Sequence, residues 1–178
     1  MKNTTIKIDP IGFDDIVVIG INSNLIDYKL AWLINSKLSF QLVREKDIFR
    51  NGAQYAFYFY DSDKEGNGPV YNLVSLKCKG TYWRNALPRI DFLLIIRNKI
   101  NSNKLEEIID KLNAIEGVGH AFLIDLYADN SLAAILETIE GHEVDILDEK
   151  RKETDIDFVK AKVKEKEEER QNMLSQLY

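Results

Sequence analysis

The chain of 178 residues is poor in cysteine, histidine and proline. Cys78 is the only cysteine, so no intrachain disulfide can form, and we expect a reducing compartment, the cytoplasm. No apolar run approaches the roughly 20 residues that span a bilayer, so we expect no membrane partner. Residues 1–10 lack the apolar core of a signal peptide, and export is therefore not expected.

Positive charge is not in excess either. Lys and Arg number 24 against 29 Asp and Glu, a formal net charge of −5, which argues against nucleic acid as a partner. The two histidines, His120 and His142, lie far apart, whereas zinc needs three or four ligands at characteristic spacing. Phosphate-binding glycine loops are missing as well, so we expect neither a metal nor a cofactor.

Apolar residues make up 45% of the chain, which is typical of a globular protein, and their spacing predicts the secondary structure. Nearly continuous apolar runs at 16–21 and 92–96 predict two interior strands of one sheet. The segments 54–60 and 70–78 flank a turn that contains two glycines and a proline, so they predict an antiparallel hairpin.

Two segments have the 3.6-residue periodicity of amphipathic helices. The first stripe comprises Ile26, Leu30, Leu33, Ile34 and Leu38. The second helix is predicted from Lys104 to about Ile115 between strands at 91–96 and 121–126, which predicts a β-α-β unit with parallel strands. Together these patterns indicate an α+β fold: a single mixed β-sheet, two packed helices, a β-hairpin and the β-α-β unit.

The composition changes near Asp148, after which Lys, Glu, Asp and Arg dominate. We therefore predict two parts, a globular domain at 1–147 and a charged helical tail at 148–178. The apolar stripe of the tail is too short for a sustained coiled coil. A short helix is predicted before it, from Ser131 to Ile139, ending at Gly141.

One part of the sequence resembles a known family. The similar residues are Gly20–Ile21, Ser23, Asp27–Trp32, Asn35, Leu42–Arg44 and Asp47, followed by Ile90–Phe92 and the apolar Leu93–Ile96. This pattern resembles the bacterial IPExxxVDY family, although Arg84–Asn85–Ala86 stands where that family has Ile-Pro-Glu. The resemblance implies a small cytoplasmic bacterial protein of unassigned activity.

The first predicted helix carries the first group of candidate site residues: Asp27, Tyr28, Lys29, Trp32 and Asn35. Tyr28 and Trp32 are four residues apart, so they lie on one face with Asn35 beside them. Exposed Trp and Tyr are favoured at protein interfaces, which makes this face a candidate interaction surface. The alternative is that the helix is covered on this side and that both aromatic rings extend the core.

A second group of candidates precedes the strand at 92–96. Asp91 stands at the entrance of this strand, with Arg84 and Arg89 close in sequence. A carboxylate in this position is able to act as a general base or to coordinate an ion. It is equally able to cap a turn or to pair with an arginine, and no second carboxylate at a fixed spacing sharpens the catalytic interpretation.

Two functions from different classes fit these patterns. The first is a non-enzymatic cytoplasmic binding or assembly module, a homodimer with Trp32 or the aromatic strand Tyr55–Tyr60 near its interface, or a module that binds another protein. The alternative is a small-molecule sensor or enzyme with a pocket near Asp27, Arg84 and Asp91. The sequence decides neither its ligand nor whether it is an enzyme.

Overall fold

Strands predominate in the first two thirds of the chain, and the longest helix lies in its C-terminal part. A computed structural model describes residues 15–63, 68–83, 90–98, 100–126 and 130–175. The strands are β1 (Ile16–Ser23), β2 (Val43–Arg44), β3 (Ile48–Arg50), β4 (Ala53–Tyr55), β5 (Phe57–Asp61), β6 (Val70–Ser75), β7 (Lys77–Cys78), β8 (Thr81–Tyr82), β9 (Phe92–Arg97) and β10 (Val118–Leu123). The helices are α1 (Asp27–Leu38), α2 (Ser102–Asn113) and α3 (Asn130–Ser175). This arrangement confirms the predicted α+β fold class.

A six-stranded sheet with the order β10-β1-β9-β6-β5-β2 forms the centre of the fold. The predicted interior strands are confirmed, because β1 lies between β10 and β9, and β9 lies between β1 and β6. The predicted hairpin is confirmed as the antiparallel pair of β5 and β6, in which Tyr58 faces Leu73. Residues 64–67 of its turn lie outside the described part of the chain.

The predicted β-α-β unit is β9-α2-β10. Its two strands run parallel to each other, and β1 lies between them and is antiparallel to both. The strands β1 and β6 are likewise parallel and separated by β9, so two split β-α-β units interleave as in ferredoxin-like topologies. The sheet was predicted to be mixed, but in all of its described pairings the neighbouring strands are antiparallel. Two small sheets, β3-β4 and β7-β8, accompany it.

Both faces of the central strands are buried, which explains their continuous apolar runs. On one face, Ile19, Leu94 and Ile96 belong to a core cluster that also contains the helix side chains Leu30, Ile34, Leu38, Ile108 and Leu112. On the other face, Val18, Leu93 and Ile95 are buried as well. The second helix is capped at its start, since the Asn101 side chain accepts a 2.8 Å hydrogen bond from the backbone N–H of Lys104.

The C-terminal part of the chain is one long helix. α3 continues through Gly141, so the prediction of a helix that ends at this glycine is wrong. A single glycine costs a helix only about 1 kcal/mol relative to alanine, which neighbouring turns outweigh. In the described residues no helix is long and apolar enough to cross a membrane.

The chain divides into two compact units, Met1–Ala133 and Ala134–Tyr178. Within the second unit, the first turns carry buried side chains at Ile135, Leu136, Ile139, Glu143 and Ile146. Exposed charged residues follow from Asp148 onward. The boundary predicted between 147 and 148 falls inside α3 and stays a prediction.

Candidate functional site

A cleft of about 320 Å³ opens at one end of the six-stranded sheet, within the first unit. It lies where β1 ends at Ser23, where β6 ends at Ser75 and where β9 begins at Phe92. The loop before α1 forms one wall through Leu25 and Ile26, so apolar carbon surrounds the polar groups. This volume is at the lower end of the range of small-molecule sites.

Asp91 lies against the closed side of this cleft and is only 7% exposed. Its backbone is held on both sides, because its N–H donates to the carbonyl of Ile21 at 2.9 Å and its carbonyl accepts from Leu76 at 2.8 Å. Its side-chain Oδ2 accepts a 2.9 Å hydrogen bond from the N–H of Ser23. The carboxylate is therefore placed by the pairing of β9 with its two neighbours.

The second oxygen of Asp91 has longer contacts. The Tyr82 hydroxyl donates to Oδ1 at 3.4 Å, and the Lys77 ammonium lies 3.9 Å from the same atom. Nearly half of the Lys77 side chain is exposed, and its Nζ lies 5.7 Å from the centre of the Tyr82 ring. Cys78 follows Lys77 in the lining of the cleft and is a free thiol.

The opposite wall carries a second charged group. Arg44 forms a 2.6 Å ion pair with Asp27 and a 2.9 Å ion pair with Asp47. Its hydrogen bond with Asp47, reinforced by the charges of Asp47 and Asp27, raises the pKa of Arg44 above its ordinary value. These contacts join the first turn of α1 to β2 at the edge of the sheet.

Tyr58 is a second partner of Asp27, because its hydroxyl donates to Asp27 Oδ2 at 3.2 Å. Burial, followed by the nearby negative charge of Asp27, raises the pKa of Tyr58 to about 12. A phenol in this environment stays protonated at neutral pH and keeps its role as a donor. The Asp27 carboxylate thus has both a cationic and a neutral partner.

Two of the three residues predicted to share a pocket are brought together, because Asp27 and Asp91 both line the cleft. Arg84 lies outside the described residues. Arg89, the other arginine close to Asp91 in sequence, also lies outside them, so the pairing of Asp91 with an arginine stays a prediction. Within the described residues, Asp91 accepts a hydrogen bond from Ser23 and lies near Lys77. Lys77 and Arg44 were not predicted as site residues, since their place at the cleft depends on strand pairing that sequence spacing does not reveal.

The remaining candidates lie on the outer side of α1. Tyr28 is 63% exposed and Trp32 is 65% exposed, so the alternative in which both rings extend the core is wrong. Lys29 is exposed beside them. Asn35 has a structural role instead, because its side-chain amide donates to the carbonyl of Leu42 at 3.0 Å and accepts from the N–H of Leu42 at 2.9 Å.

The aromatic strand is mostly covered within the chain. Phe57 and Tyr58 are buried, and Tyr60 stacks on Tyr71 with ring centres 5.7 Å apart. Phe40 lies 4.2 Å from the Tyr71 ring, which closes this cluster. Of the two interface positions predicted from the sequence, the exposed Trp32 on α1 is therefore the one with a free aromatic surface.

The described residues contain no group of three or more His, Cys, Asp or Glu side chains arranged to hold a metal ion. Compared with protein-family models, curated proteins and solved structures, the chain matches none. The site is thus defined by its own geometry: a cleft with one buried carboxylate and two basic side chains, beside an exposed aromatic helix face.

Proposed function

We propose that this protein is a binding module that assembles with a second copy of itself through the exposed face of α1. The observation that carries the proposal is the exposure of Tyr28 and Trp32, about two thirds of each ring system, side by side on one helix. Large exposed aromatics lose much water-accessible area on contact and often form the energetic centre of an interface.

Other large apolar side chains are exposed in the same stretch of the sequence. Between residues 26 and 49 the exposed large apolar side chains are Ile26, Tyr28, Trp32, Val43 and Phe49. With about 150–250 Å² for each aromatic side chain, an interface that covered all of them would bury roughly 500 Å² per protomer, or roughly 1,000 Å² for a pair. An interface of this size lies near the lower limit for specific association, so we expect a dissociation constant in the micromolar range.

The helix face is held rigidly in place, which reduces the entropic cost of association. Asp27 near one end of α1 is paired with Arg44, and Asn35 near the other end is bonded to Leu42. Tyr28 and Trp32 are thus presented from a helix that is anchored at two points to the adjacent segment.

A second copy is the partner that this surface favours. In a two-fold dimer the same patch meets itself, so aromatic side chains meet aromatic side chains without a separate complementary surface. The exposed Lys29 next to Tyr28 adds a cation that is able to pack on an aromatic ring of the other protomer. The proposed setting is the bacterial cytoplasm, where a lone cysteine such as Cys78 stays reduced.

Sedimentation velocity from about 5 to 500 µM tests the proposal. We expect a concentration-dependent shift from monomer to dimer, and Trp32→Ala should raise the dissociation constant by at least tenfold. The matched control is Leu123→Ala, which removes a half-exposed apolar side chain on the distant edge strand β10 and should leave association unchanged. A monomer at every concentration, or equal effects of the two substitutions, would refute the proposal.

A second candidate function is supported by a different observation. Asp27 and Asp91 converge on one cleft of a size suited to a small ligand, as expected of a sensor. Apart from Ile26, which lines the cleft and is also exposed near the start of α1, the cleft and the aromatic face use different side chains, so one protein is able to carry both functions.

A further inference from the structure

Most polar groups around the cleft already have close partners. Arg44 is bound by Asp27 and Asp47, and the Ser23 and Ser75 hydroxyls donate to backbone carbonyls at 2.7 and 2.8 Å. A ligand that bound to these groups would have to break short hydrogen bonds. These groups therefore shape the cleft, and recognition of a ligand falls to other side chains.

Lys77 and Asp91 are the pair with spare capacity. The ammonium of Lys77 has three donors, and its ion-pair contact with Asp91 is 3.9 Å long, beyond hydrogen-bond distance. Among the described residues, Asp91 Oδ1 receives in addition only the long 3.4 Å contact from Tyr82. A cation donor and a carboxylate acceptor thus stand side by side in the cleft, each able to form a shorter bond.

From this arrangement we infer that the cleft binds a small zwitterion of amino-acid size, with its carboxylate on Lys77 and its protonated amine on Asp91 Oδ1. Hydrogen bonds between charged partners are shorter and stronger than neutral ones, so both long contacts are replaced by better ones. This inference rests on the second candidate function and does not depend on self-association.

The size and lining of the cleft fit such a ligand. A volume of about 320 Å³ holds one free amino acid, including its side chain. Leu25, Ile26 and Ala56 line the cleft and supply apolar contacts for that side chain. The charge balance fits as well. A ligand with only an anionic group leaves Asp91 without an added donor, and one with only an amine leaves Lys77 without an acceptor.

The structure supplies a reporter for binding at this site. The backbone N–H of Ser23 donates to Asp91 Oδ2 at 2.9 Å, so its chemical shift responds to a new partner on the same carboxylate. The probes are the twenty L-amino acids, each at about 10 mM, with acetate and methylamine as single-charge controls. We expect one or more amino acids to shift the Ser23 amide signal and to raise the Tm by a few degrees, as ligands of the folded state do.

Lys77→Gln should weaken binding of the active amino acid at least tenfold, and Asp91→Asn should do the same while it keeps an acceptor for the Ser23 N–H. The matched control is Lys79→Gln, because Lys79 is an exposed neighbour that does not line the cleft. No shift from any amino acid would overturn the inference, and so would an equal response to acetate or methylamine alone. The oligomeric state of these variants, measured separately by sedimentation, reports on the proposed assembly and leaves the two outcomes distinguishable.

Discussion

The side-chain amide of Asn113 forms hydrogen bonds with both backbone polar groups of Ala121, donating to its carbonyl at 3.0 Å and accepting from its N–H at 2.8 Å. Ala121 lies in β10, the edge strand of the six-stranded sheet. A side-chain amide here takes the place of a neighbouring strand, and edge protection of this kind limits pairing with other chains. The side-chain amide of Asn35 forms the same two hydrogen bonds with the backbone of Leu42. The connections from α1 to β2 and from α2 to β10 are therefore both stabilised by an asparagine side chain.

Replacement of Asn113 by alanine should lower the free energy of unfolding by about 1–3 kcal/mol, because Ala121 is buried and its N–H and carbonyl lose their partner. Amide hydrogen exchange at Ala121 should accelerate in parallel. Glu106→Ala is the control, because Glu106 is exposed on the same helix and its replacement should leave both quantities nearly unchanged. Unchanged exchange at Ala121 in the alanine variant would show that the amide has no protective role.

Asn35 permits the structural and the binding interpretation of α1 to be separated. Asn35→Ala should destabilise the fold by about 1–3 kcal/mol through the loss of both hydrogen bonds to Leu42. Under conditions where the variant remains folded, its association should weaken far less than that of Trp32→Ala, because only the anchoring of α1 is lost. Urea unfolding and sedimentation of the same samples measure both quantities. A dissociation constant raised as much as by Trp32→Ala would place Asn35 in the interface instead.

The sequence predicts the parts of the fold that depend on local pattern. The interior strands follow from continuous apolar runs, because both of their faces are buried, and the two amphipathic helices follow from a period of 3.6 residues. The hairpin follows from two apolar segments that flank a turn. Contacts between residues far apart in the sequence leave no such pattern. The ion pair of Asp27 with Arg44 and the proximity of Lys77 to Asp91 arise only when distant strands pair.

The exposure of Tyr28 and Trp32 was also beyond local pattern. An aromatic pair at positions i and i+4 marks one helix side, but whether another element covers that side depends on the whole fold. At Gly141 the local pattern predicts too much, because the glycine indicates a helix end whereas the helical turns on either side continue through it.

The hydroxyl of Tyr58 should make stability depend on alkaline pH. Its pKa in the folded chain is raised to about 12, above the ordinary value near 10, so the folded state holds this proton more tightly than the unfolded state. The stabilisation is complete below about pH 10 and is lost as the pH rises toward 12, by roughly 2–3 kcal/mol over that interval. Spectroscopic titration of tyrosinate near 295 nm, together with urea unfolding at each pH, measures the effect.

Other tyrosines titrate in the same range, so the decisive quantity is the difference between the wild-type chain and Tyr58→Phe. Burial also raises the pKa of Tyr55 and Tyr71, and these contributions are common to both proteins. The difference in unfolding free energy should therefore shrink between about pH 10 and 12. A difference that stays constant across this interval would mean that Tyr58 titrates normally in the folded state.

The last prediction concerns the boundary predicted between the globular part, residues 1–147, and the charged tail, residues 148–178. Truncation after Leu147 should leave cooperative unfolding intact and change the Tm by only a few degrees. The ion pair between Arg151 and Asp148 in the removed segment is 3.5 Å long and its side chains are more than half exposed. Surface pairs of this kind contribute about 0.3–0.5 kcal/mol each.

In the first turns of α3, by contrast, we expect a substitution to lower the free energy of unfolding. Ile139 is completely buried, so Ile139→Ala should lower the free energy of unfolding by about 2–5 kcal/mol. Ile156 is half-exposed in the tail, so Ile156→Ala should change the free energy of unfolding by less than about 0.5 kcal/mol. Differential scanning calorimetry of the three proteins compares these effects directly. A broad, non-cooperative transition after truncation would show that residues 148–178 are part of the folding unit, because only a segment whose contacts contribute to the core can remove cooperativity when it is lost.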